Sequence, residues 1–190
     1  MWNLVKTGKH FFTPDQRAQC ATLFEAILPG SEISPGARDA DAIEYIDSLL
    51  TMGPDTYPDI PNLQILYPAG LAAIDAAAKA QFGDSVASIP IAQVAQLLQQ
   101  LKDGKLAGSM PPADQTRFFT NLRAQCLEGC FGDPRWGGNK NGVMWRWYGW
   151  IVPAEPFQRT TLIAKGPKLP IKRKKKPAPK SKRPTRRPRA

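Results

Sequence analysis

One histidine, His10, and three cysteines, Cys20, Cys126 and Cys130, are all the imidazole and thiol side chains this 190-residue chain offers. A multi-histidine metal site is thereby excluded, and three thiols are too few for the disulfide framework of a small secreted domain. The sequence also lacks a glycine-rich phosphate loop between a strand and a helix, a Cys-x-x-Cys-His haem attachment and a Gly-x-Ser-x-Gly nucleophile elbow. The chain is therefore expected to carry no cofactor of its own. Long apolar runs are missing too, none approaching the roughly 20 residues that cross a bilayer. The N-terminus, MWNLVKTGKHFFTPDQ, has no apolar stretch of signal-peptide length, no twin-arginine pair and no small-residue cleavage site. On these residues alone no export address is expected.

Acid is absent after Glu155, and this absence divides the chain. Residues 1–164 carry 13 basic and 16 acidic side chains, a net −3, whereas residues 165–190 carry 13 basic ones and no acid. The overall charge of +10 thus describes a tail. The tail, GPKLPIKRKKKPAPKSKRPTRRPRA, has no aromatic and little to bury, so its composition predicts disorder. Its densest charges, Lys172, Arg173, Lys174, Lys175, Lys176, Arg186 and Arg187, suit nucleic acid or an anionic lipid surface, with strongly salt-dependent binding. The expected division is an N-terminal arm over 1–12, a helical domain over 13–153 and a Pro/Lys/Arg-rich disordered tail over 154–190.

Five helices are legible in the body. Thr13-Pro14-Asp15-Gln16 reads as a capping box with proline at the first helical position, followed by an apolar stripe through Cys20, Leu23, Phe24, Ile27 and Leu28. Ala42, Ile43, Ile46, Leu49 and Leu50 mark a second helix, closed by Gly53-Pro54. Residues 53–66, with three prolines and no period, read as an ordered loop, and a third helix is expected from about Pro68 to Gly83. Pro90 opens a fourth with Ile91, Val94, Leu97, Leu98 and Leu101 on one side; Pro111-Pro112 opens a fifth with Phe118, Leu122, Cys126 and Cys130 at steps of four. With no period-2 strand between them, the expected fold class is all-α, an irregular bundle of about five short helices.

His10 reads as a solvated loop residue, and Asp41, Glu44 and Asp47 as a solvated helix face. Cys126 and Cys130 read as small buried hydrophobes, side by side on one helix, so that a bridge between them would require the helix end to unwind. A crosslink from an odd thiol to a partner stays open. No constellation for acid–base catalysis is visible. The segment GDPRWGGNKNGVMWRWYGW, residues 132–150, is different: it gathers four of the five tryptophans and five glycines. Glycine permits backbone forbidden to other residues, while indoles bring more apolar area than a loop easily hides. Two readings stand side by side, rings that cap the bundle and rings that form a preshaped surface for another protein.

The order FTPDQRAQCATLFEAILPG, SPGARDADAIEYIDSLL, YPAGLAAIDAAAKAQFG and RFFTNLRAQCLEGCFGDPRWGGNKNGVMWRWYGW resembles the gluconate 2-dehydrogenase subunit 3 family over residues 11–153. The most specific piece is Gly132-Asp133-Pro134-Arg135-Trp136-Gly137-Gly138-Asn139 followed by Trp145. The resemblance implies a non-catalytic accessory subunit that assists assembly, maturation or export of a FAD-dependent catalytic subunit of the glucose-methanol-choline (GMC) oxidoreductase type. A multi-haem cytochrome c often completes such complexes as electron acceptor and membrane anchor. FAD is then expected in the partner, and the location is periplasmic or membrane-associated, although the missing twin-arginine signal leaves the cytoplasm open. The expected partner interface comprises Asp133, Trp136, Gly137, Gly138, Asn139, Trp145, Trp147, Tyr148 and Trp150, with Trp136 the packing residue and Trp145 to Trp150 the contact group.

Overall fold

In the computed structural model of the protein, which describes residues 9–150, Thr13 starts the first helix as its sequence dictates. Its hydroxyl accepts from the Gln16 N–H at 3.3 Å while Gln16 Oε1 accepts from the Thr13 N–H at 3.1 Å, so two backbone donors at the helix start are satisfied reciprocally. Helix α1 (Pro14–Ile27) then buries Cys20, Leu23 and Phe24. It is followed by α2 (Ile43–Leu49), α3 (Ile60–Phe82), α4 (Ile91–Lys102), α5 (Pro112–Phe131) and the short α6 (Val143–Trp147). The described residues contain six helices and no strand.

The core gathers where α5 meets α1, α2, α3 and α4. Tyr67 of α3, Phe24 of α1 and Phe118 of α5 are its largest fully buried side chains, and the rings of Tyr67 and Phe118 meet edge to face at 5.5 Å. Gln115, also buried, ties the loop before α5 to the helix. Its Oε1 accepts from the Leu106 N–H and its Nε2 donates to the carbonyls of Leu106 and Met110, all at 2.8–2.9 Å. A buried loop backbone without such partners would be costly.

Three sequence expectations change here. Helix α3 begins at Ile60, not near Pro68, so residues 60–66 are helix rather than loop. Pro61 sits in the first turn, where a missing N–H costs nothing, and Pro68 is held inside the helix while Leu63, Leu66, Tyr67, Gly70 and Leu71 are buried around it. Ile91, expected in the inward stripe of α4, lies at its exposed first turn. The third change concerns charge. Asp47 is fully buried and Glu44 nearly so, rather than forming a solvated face with Asp41. Asp47 accepts from the N–H groups of Phe11 at 2.7 Å and Phe12 at 2.9 Å, from the Arg17 guanidinium, and pairs with His10 Nδ1 at 2.8 Å. Arg17 also reaches Glu44 at 2.8 Å. His10 is thus exposed but bonded, and residues 9–12, expected as part of an arm, are fastened to the helical body with Phe12 in the core.

Candidate functional site

The chain leaves α5 at Gly132 and returns across the outside of the bundle. Asp133 caps a 3-10 turn, Pro134–Trp136, accepting from the Arg135 N–H and Nε at 2.9 Å each and from Nη2 at 2.5 Å. The bidentate bond from Arg135, aided by its charge, holds the Asp133 carboxyl below its ordinary range despite partial burial. Gly137 follows with φ of 116°, a conformation that excludes side chains. At Gly138 the segment lies directly on α5: a Cβ there would stand 2.1 Å from the carbonyl oxygen of Gly129. No side chain can separate the two backbones at this crossing.

Asn139 fixes the next step. It is fully buried in a left-handed conformation, its Nδ2 donating to the Gly132 carbonyl at 3.0 Å and its Oδ1 accepting from the Met144 N–H at 3.0 Å. One carboxamide therefore serves the end of α5 and the start of α6. Lys140 joins the segment to the loop before α2, through its N–H to the Ala40 carbonyl at 2.9 Å and its ammonium to Asp41 at 3.6 Å.

The aromatic side chains of the segment differ in burial. Trp136 is half-buried against the core. Trp145 is also half-buried, its indole N–H donating to the Phe131 carbonyl at 2.8 Å, and its ring meets Trp150 edge to face at 5.8 Å. Trp147, Tyr148 and Trp150 stand 51%, 75% and 53% exposed. The indole N–H of Trp147 donates to the Ile33 carbonyl at 2.9 Å, bringing a second apolar residue to the same face. Ile33 is 88% exposed at the tip of a turn in which Ser31 Oγ accepts from the N–H groups of Ile33 and Ser34. Sequence reasoning missed Ile33, because a lone isoleucine among turn-forming serines belongs to no periodic stripe.

A family model described as gluconate 2-dehydrogenase subunit 3 matches residues 14–151. The chain belongs to the gluconate 2-dehydrogenase subunit 3 family. Its match runs from the first helix through the whole glycine- and tryptophan-rich segment, and the family is a subunit of a dehydrogenase complex. No curated protein and no solved structure matches the chain.

Within this family member, the residues expected at a partner interface differ in their exposure. Gly137, Gly138 and Asn139 are covered by the chain itself and shape the segment; the surface belongs to Trp147, Tyr148 and Trp150, with Ile33 added. The three cysteines are buried. Hydrogen bonding to Cys130, together with burial, pushes the Cys126 thiol up, and burial does the same for Cys20, so both stay protonated at neutral pH. No sulfur is placed to crosslink with a partner in this fold. Among the described residues no three His, Cys, Asp or Glu side chains converge as metal ligands. No helix among these residues is long and apolar enough to cross a membrane. The charges from Lys172 to Lys176 and at Arg186 and Arg187 lie outside the described residues, as does the boundary expected at 153/154.

Proposed function

We propose that this chain is a non-catalytic accessory subunit of a flavin-dependent sugar or alcohol dehydrogenase, and that Ile33, Trp147, Tyr148 and Trp150 form its docking face for the FAD-carrying subunit. The observation that carries the reading is the arrangement of the family's segment. Gly137, Gly138 and Asn139 are spent on internal packing, while Trp147, Tyr148 and Trp150 are left exposed. Exposed aromatic area clustered on a rigid support is costly in a monomer and typical of binding hot spots. The family's own description as a numbered subunit of a dehydrogenase supports the presence of other chains. Hydride transfer to the flavin, the flavin itself and any multi-haem cytochrome c subunit belong to those chains, and assistance in their assembly, maturation or export is the role left to this one.

Purification of the chain from its native host tests this directly. Recovery bound to a FAD-containing protein is expected, with the association lost in the Trp147→Ala/Tyr148→Ala/Trp150→Ala variant while its helical content is kept. Recovery of the wild-type chain as a lone monomer overturns the reading.

A further inference from the structure

A cleft of about 400 Å³ opens between α2, the loop before α3 and the end of α5. Its volume is that of a site for a small group rather than a packing defect. Tyr45, Tyr57 and Trp136 line it with aromatic surface, and Asn121, Gln125 and Glu128 add polar atoms. The polar atoms are not spent equally. Glu128 is an exposed residue at the cleft; its Oε2 accepts from the Tyr45 hydroxyl at 2.8 Å, and no cation stands within ion-pair distance of the carboxylate among the described residues. Gln125 is 5% exposed and gives its Oε1 to the Tyr67 hydroxyl, and no partner is described for its Nε2. Asn121 Nδ2 donates to the Arg117 carbonyl, which leaves its Oδ1 to accept.

These leftovers define an occupant. Aromatic faces beside an unpaired carboxylate favour a cation with an apolar stem. Two acceptors, Glu128 Oε1 and Asn121 Oδ1, suit a group with several N–H donors, and beside aromatic faces a guanidinium both donates and stacks where an ammonium only donates. The remaining donor, Gln125 Nε2, calls for a carbonyl close to that cation, as the backbone of a peptide provides. We propose that this cleft receives an arginine side chain presented by a partner protein. The guanidinium stacks on the rings and donates to Glu128, and Gln125 takes a carbonyl of the chain that carries it. The site shares no residue with the exposed ring face, so it stands whether or not that face docks a flavoprotein.

The test uses the full chain and N-acetyl-arginine-N′-methylamide as probe, followed by 1H–15N correlation spectra. Saturable shifts are expected at the Trp136 indole and at the side-chain amides of Asn121 and Gln125. The citrulline counterpart, which keeps the shape and loses the charge, is expected to leave them in place. Glu128→Gln retains an acceptor for Tyr45 and is expected to weaken the arginine probe about tenfold, the loss of one charge-assisted bond. Spectral dispersion of that variant verifies its fold. Absence of shifts in the wild-type cleft, an equal response to citrulline or to the lysine counterpart, or unchanged affinity in a folded Glu128→Gln variant overturns the proposal. Because no partner is present, the outcome is independent of whether a flavoprotein co-purifies.

Discussion

At Asn139 a single carboxamide answers two backbone groups that neighbouring helices leave over, a carbonyl where α5 ends and an N–H in the first turn of α6. Both groups lose their partner together if the side chain is removed. Asn139→Ala is expected to lower unfolding free energy by about 2–3 kcal/mol, read as a shift of the urea midpoint without a change in m. Ser48 is the converse case. Its hydroxyl is sealed from solvent and has no hydrogen-bond partner. Ser48→Ala deletes an unpaired group at nearly constant volume, so unchanged or increased stability is expected; a loss beyond about 1 kcal/mol argues for a bound water at that oxygen. Neither role was legible in sequence. Asparagine beside two glycines announces a turn, but its burial depends on Gly129, ten residues earlier on another element. Asp47 and Glu44 misled for the same reason: their spacing suits a wet helix face, and Arg17, which neutralises them, lies on a different helix.

Helices α1, α4 and α5 were readable because their signals are local, a capping box or a proline at the start and a stripe of apolar residues along one side. The first two turns of α3 were not. Prolines at 54, 58, 61 and 68 read as punctuation, while burial of Ile60, Leu63 and Tyr67 follows helical spacing that only packing makes decisive. The same helix carries a pH-sensitive tie. Burial tends to raise Asp75, but bonds from Lys79, Ser85 and the Val86 N–H outweigh it and hold the carboxyl below its ordinary value. A depressed folded-state pKa contributes stability above the unfolded value and loses it as pH falls through the folded one. Stability is therefore expected to decline as pH drops below about 4, and Asp75→Asn to flatten that acid limb in urea titrations. The latch on α2 gives a second element-scale expectation. Asp47→Asn leaves Glu44 as the carboxylate paired with Arg17 at 2.8 Å and weakens the hold on residues 9–12. A loss of about 3 kcal/mol is expected, with faster hydrogen exchange at the amides of Phe11 and Phe12. Unchanged exchange at those two amides shows that the segment is held by Phe12 alone.

Across the whole molecule, the rings divide by burial into supports and surface, and their substitutions are expected to divide likewise. Trp136→Ala removes packing from the core and is expected to cost about 2–3 kcal/mol, less than full burial would imply. The Trp147→Ala/Tyr148→Ala/Trp150→Ala variant removes mostly exposed area and is expected to stay within about 1 kcal/mol of wild type in thermal or urea unfolding, even where it abolishes association. Equal destabilisation by both sets of changes shows that the terminal rings are a lid over the bundle and not a surface. The concentration of glycine and tryptophan in one segment was the feature most legible in the sequence; which ring faces which way was not, because it is set by contacts with α5 and with the turn at Ile33.

The crossing of Gly138 over Gly129 makes the ring face conditional. Residues 137–139 have nowhere to rest until α5 has wound and the start of α2 has come alongside, since Gly138 meets the first and Gly137 the second. A nascent or partly opened chain has the tryptophans without the shape. A partner docking on the proposed face would meet it only on a completed bundle, and an incompletely folded copy would be passed over without any separate device to reject it.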